Sequence, residues 1–414
     1  MLLISSLWYS IWGLDNRSPA GLTNRVLTLT ILNCTLLSIN SLINISGDIC
    51  LLNNYYLWSP LGGLLESFTY ILSILWLRKE GVKVLSLLGI VLLLYINDYI
   101  SLFITIEGQV LILYILGSRD SISSGIKYFI IGSLSSALII LGITFIYSET
   151  GITTLGLCDT TGTLLIWGKR LIIVGLLIKL GIPPFHLWNI DIMDYSRLDL
   201  TAWFGIISKI GIIYVLSRLG NDIINWDIFI ILCFIFGSIL GLMQVRIKRL
   251  LAYSGVVQLG FLILGLKSIT TETSTLIGYE NWVIYLIQYF LTLTLLFVIL
   301  SNSNAIYIHD LKFNLYIMII MVINLLSLAG FPPLIGFIAK YLVIMTVINT
   351  NMLLGIVIIS ISVVSFFIYF TLIRNIVLDE SSSISNTSDA WVISYTTWVL
   401  IYIVMSGVPS GYLL

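Results

Sequence analysis

Glu107, Lys127, Lys179, Lys209 and Lys340 each lie inside an apolar run, and His186 closely follows Lys179. In hydrocarbon a central Lys or Asp costs about 2.5–3.5 kcal/mol, so such residues mark ion or proton paths by default. Lysine suits proton transfer because its amine changes charge readily on burial, whereas arginine stays charged. Histidine can relay protons near neutral pH. Other chemistries find little support. No Rossmann fingerprint or P-loop occurs. Cys34, Cys50, Cys158 and Cys233 are scattered and form no CxxC pair, which argues against a cluster, a zinc site or a disulfide framework. With His186 and His309 as the only histidines, a haem or metal centre is disfavoured. Nothing equips Lys179 for covalent catalysis.

The stretch 171–188, LIIVGLLIKLGIPPFHLW, places Pro183 and Pro184 just after Lys179. A second stretch, SLAGFPPLIGFIAKY (327–341), places Pro332 and Pro333 just before Lys340. Each has a Gly followed two residues later by a Pro pair. Proline removes a ladder hydrogen bond, so both spans are expected to be broken. The freed carbonyls can hold water or ions where they face a cavity.

Plainer readings stand beside these. Glu107 would serve equally as a structural ion pair between helices. Lys127 and Lys340 would reach an interface by snorkelling. His186 would cap freed carbonyls. Glu66, in another apolar run, would pair with a neighbouring subunit. His309, in IHDLKF, reads as a loop residue. Tyr253 and Tyr289 would pack or line a path.

The elements that must carry these residues are membrane helices. Of the 414 residues, 58% are apolar and only 10% charged, against about 25% charged in soluble domains. The apolar runs are continuous rather than alternating, which excludes a β-barrel. The formal net charge is zero, so nothing suggests a nucleic-acid partner. Span-length runs number about fourteen, giving an all-α polytopic membrane protein. They lie near 1–13, 26–45, 58–77, 82–97, 99–117, 125–147, 164–188, 198–219, 224–243, 250–267, 280–301, 314–348, 350–376 and 391–410. The longest polar stretch, 378–390, is a Ser-rich loop.

Alternate loops differ in charge. One set carries Arg17, Arg25, Arg78, Lys79, Lys83, Arg119, Arg197, Arg246, Lys248, Arg249, Lys312 and Arg374. The other carries only Lys169, Arg170, Arg218 and Lys267. By the positive-inside rule the first set faces the cytoplasm or matrix, with both termini opposite. The two Pro-broken spans are an odd number of spans apart, so matching units would point oppositely. Paired interrupted helices of this kind point to inverted-repeat transporters.

The run IKRLLAYSGVVQLGF (247–261), with SLAGFPPLIGFIAK (327–340) and KLGIPPFHLW (179–188), resembles the subunit 2 family of the proton-pumping NADH:ubiquinone oxidoreductase, respiratory complex I. NDYISLFITIEGQ (97–109) and KYFIIG (127–132) are similar to its fifth span and the start of its sixth. The likeness runs from about residue 58 to 376. It implies an antiporter-like fold with two inverted five-helix repeats, 82–219 and 224–376. Helices 1–3 precede them in 1–81, and a polar loop and last helix follow in 377–414. It also implies proton translocation through Glu107, Lys179, Lys209 and Lys340, with a less certain part for Lys127. No cofactor is implied on this chain. NADH, FMN, iron–sulfur clusters and ubiquinone belong to other subunits. Implied partners are subunit 4, the small adjoining core subunits, accessory subunits and membrane lipids. Subunit 4 usually has Glu where Lys340 stands, and subunit 5 has a long C-terminal helix that is missing here. The charged stretch DIMDYSRLDLTAWF (191–204) departs from the commoner pattern.

Two other readings compete: a cation/proton antiporter of the related multisubunit type, and an inert membrane spacer. Buried Glu and Lys argue against the spacer, and the specific motifs against the antiporter. The Ile/Leu-rich chain shows neither a cleavage site nor a transit peptide. It fits a mitochondrially encoded, multi-pass inner-membrane protein, with a bacterial plasma membrane as the other possibility.

Overall fold

The computed structural model describes residues 20–44, 48–51, 55–76, 81–155, 162–219, 224–270, 275–303, 305–311, 313–332, 334–348 and 351–378. The expected spans near 1–13 and 391–410, the 378–390 loop beyond Leu378, and Pro333 lie outside the described residues. Two compact units account for the rest. Described residues within Met1–Leu180 and Tyr195–Ile223 form one, and those within Gly181–Asp194 and Ile224–Leu414 form the other.

The first unit opens with α1 (Ala20–Asn44) and a small antiparallel hairpin, β1 (Ile49–Leu51) and β2 (Tyr56–Trp58). Five helices follow: α2 (Pro60–Trp76), α3 (Gly81–Tyr95), α4 (Tyr99–Asp120), α5 (Ile122–Thr150) and α6 (Thr163–Leu180). The unit closes with α8 (Leu198–Arg218). Asp98 starts α4 by accepting the Ser101 N–H at 3.1 Å, satisfying one of the four orphan donors of a helix N-terminus. Arg218 ends α8 by donating to the Ile96 carbonyl and, at 2.8 Å, to the Asn97 side chain. Between lipid-solvated helices, association relies on close packing rather than the hydrophobic effect. α5 and α6 achieve it at Gly142 and Gly168. A Cβ on Gly142 would sit 2.6 Å from the Gly168 carbonyl, and one on Gly168 would sit 2.7 Å from the Gly142 carbonyl.

The second unit begins with most of α7 (Leu187–Tyr195) and continues through α9 (Trp226–Leu242), α10 (Ile247–Thr270) and α11 (Thr275–Asn302). It ends with α12 (Leu315–Ala329), α13 (Ile335–Ile348) and α14 (Met352–Leu378). Both expected breaks are present. α6 stops at Leu180 and α12 at Ala329, and each is followed at once by a left-handed glycine, Gly181 (φ 74°) and Gly330 (φ 85°). That conformation is open to glycine at little cost and ends a helix. The Pro183–Pro184 peptide bond is cis.

Among the described residues, six helices are long and apolar enough to cross a membrane: Tyr99–Asp120, Ile122–Thr150, Leu198–Arg218, Ile247–Ile269, Gly278–Ser301 and Met352–Val377. The molecule is a multi-pass membrane protein, with shorter apolar helices making up most of the remainder. Two features add to or depart from expectation. The connection between the expected spans near 26–45 and 58–77 holds the short β1–β2 pairing, in a chain otherwise expected to be all-α. Lys83, counted above as a loop cation, is helical and 1% exposed, and its ammonium donates to the Trp76 carbonyl at 3.1 Å. Its nearness to the start of α3 explains the misreading, since a lysine at a span edge reads as loop.

The Gly142–Gly168 seam yields a direct expectation. Gly168→Leu forces apart two backbones and should destabilise the protein by about 3 kcal/mol or more, at or above the usual overpacking range. Gly108→Ala, where an added Cβ meets nothing within 4 Å, should change little. Melting temperatures of the detergent-solubilised variants test the contrast.

Candidate functional site

The first cluster lies in the first unit. Glu107 sits near the middle of α4, and Lys179 in the last turn of α6. Their side chains form an ion pair and are 23% and 3% exposed. A cation in a last helical turn also faces the negative end of the helix dipole. The break after Leu180 therefore gives the Lys179 ammonium a favourable field beyond its carboxylate.

Lys209 lies on α8, 4% exposed, with no ion-pair partner among the described residues. Its position is set by an unusual piece of backbone. Trp203–Ile207 form a π-helical turn, a feature that recurs at functional sites. In that turn the Ser208 N–H bonds the Trp203 carbonyl as well as that of Ile206. The Phe204 carbonyl is taken up by the Ser208 hydroxyl at 2.9 Å. The Ser208 carbonyl accepts from the Gln109 amide at 3.1 Å. Trp203, fully buried, donates its indole N–H to the Ser86 hydroxyl at 2.9 Å, and the Lys83 ammonium lies 5.7 Å from its ring centre. Backbone groups disturbed by the π turn thus find side-chain partners, as a nonaqueous setting demands.

The second unit has its own lysine. Lys340, 7% exposed, donates to the Leu328 carbonyl at 2.6 Å and the Ala329 carbonyl at 3.1 Å, and lies 5.1 Å from the Phe261 ring centre. It sits on α13 and binds the carbonyl end of α12. A helix C-terminus replaces the carboxylate that serves Lys179. Gln258 donates to the same Leu328 carbonyl at 3.2 Å and to the Tyr369 hydroxyl at 2.9 Å, and accepts from Tyr285. Since Leu328 offers only an acceptor there, the orientation of this amide is determined by its network.

The other expected residues fall elsewhere. His186 is buried between Phe236 and Tyr253, with ring centres 5.5 and 6.2 Å away. Neither of its nitrogens meets hydrogen-bond geometry among the described residues, although the Pro184 backbone lies close enough to interact with the ring. Pro183 is buried, while Pro184 and Pro332 are exposed. Lys127 is exposed near the start of α5. Glu66 accepts from Tyr70 at 2.9 Å and from Tyr95, so its partners lie in this chain. His309 is 67% exposed beside Asp310. Tyr289 is buried.

Sequence reasoning passed over Gln109 and Gln258 and placed Lys83 in a loop. The amides are polar residues inside apolar runs, which was the available signal. It also left 191–204 without a role. There Asp194, 4% exposed, takes Arg246 at 3.0 Å and Arg249 at 2.9 Å, and Arg197 bonds Asp120 at 3.2 Å.

A family model described as NADH:quinone oxidoreductase/Mrp antiporter, TM, matches residues 96–367. The chain belongs to this family. The antiporter-family match contains Glu107, Lys179, Lys209 and Lys340, whereas Glu66 lies outside it. NADH-ubiquinone oxidoreductase chain 2 of Rhizopus oryzae is 34% identical, covering 88% of this chain and 82% of that protein. NADH-quinone oxidoreductase subunit N of Rhodospirillum rubrum is 30% identical, covering 76% and 72%. A chain of respiratory complex I from Thermus thermophilus superposes with TM-score 0.88 at 21% identity, covering 100% of this chain and 97% of its own. A chain of the Mrp complex from a Dietzia species does so with TM-score 0.81 at 17% identity, covering 93% and 79%. The antiporter-family fold is therefore common to respiratory and Mrp assemblies.

The Asp194 cluster carries a stability prediction. Asp194→Asn removes the carboxylate that Arg246 and Arg249 share, while Arg249 keeps Asp191 at 3.8 Å, and should cost about 2 kcal/mol, below the range for a broken buried pair because both arginines reach solvent. Arg246→Ala alone should cost about 1 kcal/mol or less, since that side chain is 43% exposed. Thermal unfolding of the two variants measures the difference.

Proposed function

We propose that this chain is the antiporter-like subunit 2 (subunit N) of the membrane arm of proton-translocating NADH:quinone oxidoreductase, respiratory complex I. In this reading it moves protons through Glu107, Lys179, Lys209 and Lys340. The observation that carries the proposal is the Glu107–Lys179 ion pair beside a helix break, within the stretch matched by the family model. An inert scaffold gains little from such a pair, because the desolvation it demands can exceed the attraction it returns.

The pair acts as a switch. While it is closed, carboxylate and ammonium stabilise each other's charge. Parting them leaves an ammonium in an apolar setting, where the neutral amine is favoured. The released proton passes to Lys209. Breaking a buried pair involves about 3–5 kcal/mol, and moving one charge against 100 mV requires about 2.3 kcal/mol. One pair can therefore gate one proton against a membrane potential. Lys340 provides the corresponding site in the second unit, its ammonium held by helix carbonyls. His186 and Lys127 take subsidiary parts as proton relays.

The wider proposal includes about fourteen spans, with inverted repeats at 82–219 and 224–376. Redox cofactors and quinone chemistry belong to other subunits of the complex. The neighbours are subunit 4, the small core subunits, accessory subunits and lipid, in the mitochondrial inner membrane. The Rhizopus relative supports the mitochondrial setting.

Glu107→Gln and Lys179→Met test the scheme in the assembled complex, reconstituted into sealed vesicles. Protons moved per NADH oxidised should fall, with coupled turnover down by about tenfold, equivalent to about 1.4 kcal/mol of barrier. Full stoichiometry in either variant, with assembly intact, overturns the proposal.

A further inference from the structure

Gln109 stands two residues beyond Glu107 on α4. About 100° of helix rotation per residue places the two side chains on different faces, roughly 200° apart. One face of α4 carries the carboxylate that meets Lys179 on α6. The other carries an amide that is 1% exposed and donates to the Ser208 carbonyl at 3.1 Å. The carbonyl of Ser208 and the N–H of Lys209 belong to the same peptide unit. Gln109 therefore grips the plane from which the Lys209 side chain departs.

Three further observations mark this contact as more than packing. The grip falls directly after the π turn Trp203–Ile207, where the backbone ladder is already out of register. The amide oxygen of Gln109 is buried with no hydrogen-bond partner among the described residues, an arrangement that costs about 1–3 kcal/mol. The root of the side chain is also closely packed, since a Cβ on Gly89 of α3 would lie 2.9 Å from the Gln109 Cβ. An unused acceptor thus lies beside an irregular segment of helix.

We propose that Gln109 is a positioning residue that couples the Glu107–Lys179 pair to Lys209. When the pair opens or closes, α4 shifts, and the Gln109–Ser208 bond carries the shift to the Lys209 peptide. The idle amide oxygen is the acceptor that completes the alternative arrangement. This inference rests on the reading of Lys209 as part of the proton path.

The test uses the assembled complex with Gln109→Leu, Lys209→Met and the double variant. Protons moved per NADH oxidised and the pH profile of turnover are measured for each. Gln109→Leu should lower coupled pumping about fivefold, the factor that corresponds to one buried hydrogen bond of average strength, and should displace the pH profile. In the Lys209→Met background the same substitution should add nothing further. Additive losses in the double variant, or an unshifted pH profile in Gln109→Leu, overturn the proposal by showing that Gln109 acts through packing alone. Full pumping by Lys209→Met overturns the broader reading instead. Should Gln109→Leu not assemble, the isosteric Gln109→Glu, which cannot donate to the Ser208 carbonyl when ionised, is held to the same outcomes.

Discussion

A charge inside a membrane is costly unless an opposite charge or oriented dipoles meet it, and the surroundings of Lys179 and Lys340 follow from that constraint. Lys179 is met by Glu107 and by the end of its own helix. Lys340 is met by the carbonyl end of another helix and by an aromatic face. These are two solutions to one electrostatic problem. A carboxylate can be drawn away or protonated, so its support is conditional. Backbone carbonyls keep their dipoles at every pH, so their support is permanent while the break in the helix is held open.

Holding irregular backbone in a nonaqueous setting is the second constraint, and it explains why neutral side chains gather around the charged ones. Each unit carries interrupted helix, a π turn in α8 and a gap between α12 and α13. In both places a glutamine amide takes a carbonyl at or beside the irregularity: Gln109 at Ser208 and Gln258 at Leu328. Amides suit this work because they hydrogen-bond strongly without changing charge. The ionisable group can then switch while its frame stays fixed.

Much of this was legible in the sequence, for reasons tied to particular residues. Lys179 and Glu107 were conspicuous because charge is rare in apolar runs, and Gly–x–Pro–Pro announced both helix breaks. Their pairing was an inference across 72 positions, which only tertiary structure can show. Lys83 was misread because a cation at a span edge has the same appearance in a loop and in a buried first turn. Gln109 and Gln258 escaped notice because an uncharged amide in an apolar helix carries no large penalty signal. The hairpin at 49–58 was missed because strands of three residues leave too short a pattern to read. Residues 191–204 seemed merely charged. Asp191 and Asp194 are met by Arg249 and Arg246, and Arg197 by Asp120, all distant in the chain.

The segment Gly181–Asp194 has a consequence for how the protein is made. It groups with the second unit, yet the chain on either side of it groups with the first. Synthesis delivers this segment before Arg246 and Arg249, the residues that hold Asp194. The first unit therefore reaches its full sequence while a piece of chain within it still awaits partners not yet translated. Neither unit is an uninterrupted stretch, so the first completes its own sequence only after a part of the second has been made. Maturation of the two halves is joined covalently at both ends of a fourteen-residue insert.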